Sequence, residues 1–351
     1  MPRSPIARGV VLAAAAAVAF GVTTPVVAWA GRGLGAFATA GLLYAGAALA
    51  SVIMGALGRA RADRHPPLGR RDAWRVLAVA LSGGAIAPAL LAWGLQHAGA
   101  TIGALLLNLE AVFTIVLARA VFREPIGRRV ALAVLAMVAG GAALVLDVSR
   151  GTAWSVAGVA AVSAATLGWA VDNTLTRPLA ERDPLSVIAA KAGLGAAFTF
   201  TAAVIAGEPA PSLGAAAALL ACGATGYGVS LRLYLLAQRA IGAGRTGSVF
   251  ALAPFIGAAI AVLAGDRGAT GWTAAAAALF ATGVYLHVTE RHDHAHVHEP
   301  IEHDHAHRHD DGHHDHAHDP PVAGEHAHPH RHGRLVHTHD HGADLHHAHP
   351  H

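Results

Sequence analysis

One carboxylate stands where water does not reach cheaply. Glu110 lies midway along the apolar run Leu105-Leu-Leu-Asn108-Leu-Glu110-Ala-Val-Phe113-Thr114, and an ionised side chain at the centre of a bilayer costs about 3 kcal/mol on insertion scales. Such a carboxyl must be protonated, paired or bathed in a cavity. Gly103, Glu110 and Thr114 are spaced by seven and four residues, which puts them on one face of a helix and makes a cavity-lining strip. The chemistry this allows is the reversible binding of a proton or another cation. The bland alternative is a buried structural pair with an Arg or Lys.

Three other charges are embedded in apolar sequence. Lys191 and Arg232 each lie about two helical turns from a span end, close enough to snorkel to the interface. Asp172 ends a span at the same depth, so Asp172, Lys191 and Arg232 form a candidate inner gate, with plain ion pairing as the structural alternative. Asn108, Asn173, Trp169, Tyr227 and Ser230 can offer hydrogen bonds to a solute, although polar side chains in membrane helices also join helix to helix. Thr23-Thr24-Pro25, Pro88 and Pro254 mark places where a helix can break and free backbone carbonyls toward a cavity.

The second chemistry is imidazole. Of 26 His, 23 fall between His292 and His351. The runs His292, His294, His296, His298, then His303, His305, His307, His309, then His313, His314, His316, His318 place His at nearly every second position with carboxylates between. Neutral imidazole is the commonest protein ligand for zinc, copper, nickel and cobalt. There is no Cys in this region and no fixed pair-of-pairs spacing, so the expectation is a set of interchangeable divalent-metal sites on a disordered chain. A pH response or simple solvation are the alternatives, and no cofactor is required elsewhere.

The elements that must position these residues follow from composition. The 351 residues are 54% apolar and 13% charged, with 40 Gly and few aromatics, which fits a polytopic membrane protein whose helices pack on small residues. Apolar segments long enough to cross a bilayer fall at about 8–28, 34–57, 73–95, 99–118, 128–147, 153–172, 185–206, 214–237, 244–264 and 270–289. The first, behind Arg3 and Arg8, also has the outline of a secretory signal, but its apolar run is longer than a signal core and it has a partner in the second half. It is read as a retained span. With the N-terminus in the cytoplasm, sixteen Arg fall in inner segments and only Arg32, Arg150 and Arg267 in outer ones, as the positive-inside rule requires. An even number of spans returns the tail to the cytoplasm. Residues 1–290 carry 21 basic and 11 acidic side chains, and the remainder 4 and 11.

The body looks duplicated. Gln96-His97-Ala98 followed by Gly103-Ala104-Leu105 is mirrored by Gln238-Arg239-Ala240 followed by Gly247-Ser248-Val249, and each is succeeded by an apolar span, a polar turn and a final span ending in glycine. The reading is all-α: ten transmembrane helices as two inverted-topology five-helix repeats, 1–148 and 149–290, plus a disordered tail, 291–351. Inverted repeats are a transporter signature, with the site near midplane between them. Pro254 occupies the position that matches Glu110.

The residues carrying this pattern resemble the EamA-type branch of the drug/metabolite transporter superfamily over about 8–289. Leu105 to Thr114, Trp169-Ala-Val-Asp-Asn-Thr-Leu-Thr-Arg177, Gly226-Tyr-Gly-Val-Ser-Leu231, and Arg245-Thr246-Gly247-Ser248 through Ala253-Pro-Phe-Ile-Gly257 look like a prokaryotic subgroup that also carries His-rich C-termini. The resemblance implies a carrier of the cell (inner) membrane, moving amino acids, sugars, nucleotide sugars, drugs or other metabolites. Most such repeats have a Pro where Glu110 stands, which strengthens a coupling role for Glu110.

The leading expectation is therefore a secondary transporter of a small solute, proton-coupled, working by alternating access. No Walker-type motif is present to supply ATP. The alternative substrate is a transition-metal ion (Zn, Ni or Co), although His97 and His287, the only His near the spans, lie at span ends. A non-transporting metal sensor is a third reading, and no nucleophile–base pair points to an enzyme. Expected partners are the lipid bilayer, a small-molecule or ion substrate and a second copy of the chain, with no nucleic acid among them.

Overall fold

A computed structural model describes residues 5–58, 68–123, 126–149, 155–179, 182–241, 243–266 and 269–289, together with four short strands between 292 and 341. Among the described residues, nine helical stretches are long and apolar enough to cross a membrane: Ala7–Ala30, Ala36–Leu57, Arg70–Ala98, Ala100–Phe122, Arg128–Val148, Pro184–Ile205, Leu213–Gln238, Arg245–Leu263 and Gly271–Val288. A further helix, Val156–Thr176, has 21 residues but ends in Asp172-Asn173-Thr174 and is not among the nine. For these nine the expected boundaries hold to within a few residues, whereas the expected sixth span, 153–172, falls on Val156–Thr176.

Five of these stretches are interrupted. The first consists of α1 (Pro5–Gly21) and α2 (Thr23–Ala30), and it is followed by α3 (Ala36–Gly58). The third joins α4 (Ala73–Val79) to α5 (Ala87–Ala98) through a π-helical turn at Ala80–Ile86. The fourth breaks into α6 (Ala100–Leu106) and α7 (Leu109–Phe122), and α8 (Arg128–Ser149) follows. After α9 (Val156–Thr176) and α10 (Pro184–Ile205), the same sequence of events recurs. A π-helical turn at Ala224–Val229 joins α11 (Leu213–Gly223) to α12 (Ser230–Ile241), and a break separates α13 (Ala243–Phe250) from α14 (Ala253–Leu263) before α15 (Gly271–Val288). Pro25, Pro88 and Pro254 each sit in the first turn of the segment after an interruption, where a missing N–H costs no intrahelical bond.

Two groups of helices enclose the middle of the molecule. In one, α9 packs on α4, α5 and α7; in the other, α1 packs on α12, α13 and α14. Helix α3 lies along α10, and α8 along α15. Backbones touch where glycines face one another. A Cβ at Gly223 would fall on the Leu43 carbonyl oxygen and one at Gly46 on that of Leu220, which sets the α3–α11 crossing. Gly195 and Gly84 do the same between α10 and the first π turn. The core is correspondingly aliphatic and small, with Leu43, Leu91, Leu105, Leu106, Met137, Leu144 and Phe280 fully buried.

The tail departs from the expectation of disorder over four segments. The strands β1 (His292–His298) and β4 (Leu335–His341) pair antiparallel, as do β2 (Glu302–His307) and β3 (His326–Arg331). The physical reason is in the spacing: His at every second position has the period of a strand, in which alternate residues share a face. His309, His313, His314, His316 and His318 lie outside the described residues.

Candidate functional site

The site is built on a helix that starts in the middle of a span. The turn at Leu107 and Asn108 interrupts the fourth span, so Glu110 stands in the first turn of α7. There the N–H of Glu110 bonds to the Leu107 carbonyl at 3.1 Å and that of Ala111 to the Asn108 carbonyl at 3.3 Å, so these donors are spent within the turn. The same arrangement recurs at Ala251 and Leu252, and Pro254 occupies the equivalent second residue of α14. Asn108 is buried and spends its amide locally, donating from Nδ2 to the Leu105 carbonyl at 2.8 Å. It braces the break and does not face the Glu110 carboxylate with its amide.

Two neighbours on α9 serve opposite walls. Asn173 is exposed and donates from Nδ2 to Glu110 Oε1 at 2.8 Å, joining α9 to α7. Asp172, only 4% exposed, is ion-paired with Lys191 of α10 and also accepts from Thr176 Oγ1 at 3.4 Å. Arg232, half-buried on α12, stands outside that pair, so the three-residue gate expected from sequence reduces to Asp172 and Lys191. A Cβ at Gly83 would occupy the space of the Asp172 carboxyl; the absent side chain is what lets Asp172 tuck against the third span.

Gly83 has a second role that follows from the π turn. In that turn the N–H of Ala87 bonds to Ser82, five residues back. The carbonyl of Gly83 would then look to residue 88, which is Pro and has no N–H to give. A buried carbonyl must be satisfied somewhere. Tyr44 of α3 donates its hydroxyl to it, and Trp169 of α9 donates Nε1 at 3.1 Å. The carbonyl thus fixes two ring side chains beside Glu110 and the Asp172–Lys191 pair.

A run of aromatic rings continues from there to the other helix group. Tyr44 lies 5.5 Å from Tyr227, Tyr227 is edge-on to Phe20 at 5.7 Å, Phe20 is 5.5 Å from Phe250, and Phe250 is 5.0 Å from Tyr234. The hydroxyl of Tyr227, in the second π turn, is buried and meets no hydrogen-bond partner among the described residues. Thr114 stands one turn beyond Glu110 on α7 and is half-buried. Ser230 is buried and donates to the Ala16 carbonyl at 2.8 Å, so it fastens α12 to α1.

The structure therefore joins Glu110 to Asn173 and Asp172 to Lys191, and it links Trp169, Tyr44 and Tyr227 through the Gly83 carbonyl and the Tyr44–Tyr227 ring contact. Tyr44 carried a signal in sequence, a lone phenol in the middle of an apolar span, whereas nothing local marked the Gly83 carbonyl. Among the described residues no group of three or more His, Cys, Asp or Glu is placed to hold a metal ion.

The end of the body poor in arginine is tied differently. Asp266, in the turn after α14, accepts from the Thr101 N–H and from Thr101 Oγ1, both at 2.9 Å, at the start of α6. Gln96 Nε2 donates to the carbonyls of Gly31 at 3.0 Å and Leu34 at 3.2 Å. Glu208 receives the N–H groups of Phe37 at 3.2 Å and Ala38 at 2.7 Å. Buried Asp147 accepts from Thr270 and Thr273, each at 2.8 Å.

An array of apolar helices broken in mid-span, with buried polar groups at the breaks, fits a multi-pass membrane protein. The profile of the EamA-like transporter family matches residues 7–146 and 156–289, and the chain belongs to that family. It is 27% identical over 223 residues to an uncharacterized transporter of Methanothermobacter thermautotrophicus, a match covering 60% of this chain and 63% of that protein's own length. A solved crystal structure described only as that of a protein superposes with a TM-score of 0.58 at 17% identity, covering 81% of this chain and 96% of the other. The likeness at that identity is one of fold.

Proposed function

We propose that the chain is a secondary transporter of a small solute in the cell (inner) membrane, with both termini cytoplasmic, that works by alternating access and couples transport to proton movement at Glu110. The observation that carries the reading is the Glu110–Asn173 hydrogen bond, a protonatable carboxyl held across two helices at the start of a mid-span helix. Matched π turns, matched breaks and the two family matches, 7–146 and 156–289, support two repeats of inverted topology. The moving units are the group around α9 and the group around α1, each of which draws helices from both repeats. Glu110 and the exposed Asn173 lie on the first group, where a solute arriving from the arginine-rich end would meet them. On donor chemistry alone, the His-rich tail is proposed to bind divalent Zn, Ni, Co or Cu at that end.

The test is a thermal-shift screen of the full chain in detergent against a metabolite panel, since a ligand that binds only the folded state raises its apparent stability. A metabolite should stabilise the wild type and lose its effect in Glu110→Gln. A ligand that stabilises both equally would remove Glu110 from the site. Divalent metals are run alongside on Glu110→Gln and on a chain ending at residue 290, so that tail binding and binding in the body are read separately.

A further inference from the structure

Helix α3 joins the two helix groups by packing on α10 and α5 and also on α11 and the second π turn, and further contacts link α2, α5, α6 and α14. These are the segments on the arginine-poor side of each interruption. Two polar residues span that meeting point. Asp266, at the end of α14, takes both the N–H and the hydroxyl of Thr101 at the start of α6. Gln96, at the end of α5, satisfies two carbonyls of the turn between α2 and α3. Helix starts and turns leave backbone groups that need partners, so each contact supplies from one group what the other lacks. In sequence Gln96 matches Gln238 of the second repeat, yet Gln238 lies beside Tyr234 on its own helix. Equivalent residues in the repeats thus do different work at the two ends.

We propose that Asp266 and Gln96 are positioning residues of the transport cycle, which hold the arginine-poor end shut while the Glu110 site stays open to the arginine-rich end. The inference rests on the alternating-access reading above. It assigns to these two side chains the bonds that must break for the other orientation to form. An ordinary structural cap would stabilise the protein without favouring either orientation.

The test measures distances between pairs of spin labels in the full chain reconstituted in lipid, in a Cys222→Ala background. One pair, at exposed Val156 and Leu263, reports on the arginine-poor end, and the other, at exposed Val121 and Leu236, on the arginine-rich end. Asp266→Ala, Gln96→Ala and the double variant are compared with the parent. Expected is a new longer-distance population at the first pair, largest in the double variant, together with a shorter one at the second. Widening at the first pair with no change at the second keeps the two residues as a clasp and removes alternating access. An unchanged first pair in folded variants overturns the clasp. Loss of folding in all three variants also overturns it, because it would mark both residues as structural caps.

Discussion

The Gly83 carbonyl allows a prediction in which a backbone atom, and no side chain, is the quantity under test. Its two donors are Tyr44 and Trp169, and residue 88 offers none. Removing one donor leaves the other in place, so Tyr44→Phe is expected to cost about 0.6 kcal/mol, the average for a hydrogen bond in a membrane helix bundle. Trp169→Phe adds a packing loss to a similar figure. Removing both orphans a buried carbonyl, which costs about 1–3 kcal/mol. The double variant should therefore exceed the sum of the singles by roughly 1 kcal/mol, about fivefold in the unfolding equilibrium. Pro88→Ala supplies an N–H five residues on from Gly83. It should recover most of that excess in the double variant and do little in the wild type. The assay is unfolding in mixed micelles followed by far-ultraviolet circular dichroism. Strict additivity, or a Pro88→Ala effect that is the same in both backgrounds, would refute the reasoning.

Other substitutions follow from the same geometry. Gly223→Ala drives a methyl onto the Leu43 carbonyl and should destabilise by about 2 kcal/mol or more, in the range of overpacked cores; Gly214→Ala, with open space around it, is its control and should unfold like the wild type. Asp172→Leu alone strands Lys191 and should cost toward the low side of about 3–5 kcal/mol, because the lysine side chain is 21% exposed. Adding Lys191→Met should restore much of the loss in the same unfolding assay. Arg232→Met is expected to leave stability within about 0.5 kcal/mol, as for a residue outside buried networks; a cost matching that of Lys191→Met would place it in the pair after all.

Much of the frame is legible in the residues. Spans are set by the length and apolarity of their segments, and Glu110 stands out because a carboxylate in mid-span has few inexpensive environments. The interruptions are harder to read. Residues on both sides of Leu107–Asn108 and of the Ala80–Ile86 turn are as apolar as the rest, so periodicity passes through them, and only Pro25, Pro88 and Pro254 hint at a new start. That Glu110 stands in the first turn of α7 is a local fact that depends on where the helix begins. Side-chain partners separated by many residues are less legible still. Tyr44 and Gly83 meet Trp169 and Ser230 meets Ala16 through the fold, whereas Asn108 braces its own neighbourhood. Arg232 shares a depth with Lys191 in sequence but stands on a different wall. Asp266 falls in a polar turn and Gln96 in the last turn of α5, where such residues are ordinary; only their contacts with the start of α6 and with the turn after α2 give them a role.

The most direct measurement of the central claim is solute-driven proton movement in proteoliposomes loaded with a pH-sensitive dye, using the full chain and a metabolite that stabilises it. The wild type should move protons when a solute gradient is imposed. Glu110→Gln, equally folded, should neither bind the solute nor move protons. Proton movement that persists in Glu110→Gln, or solute transport with no proton movement in either protein, would contradict the account.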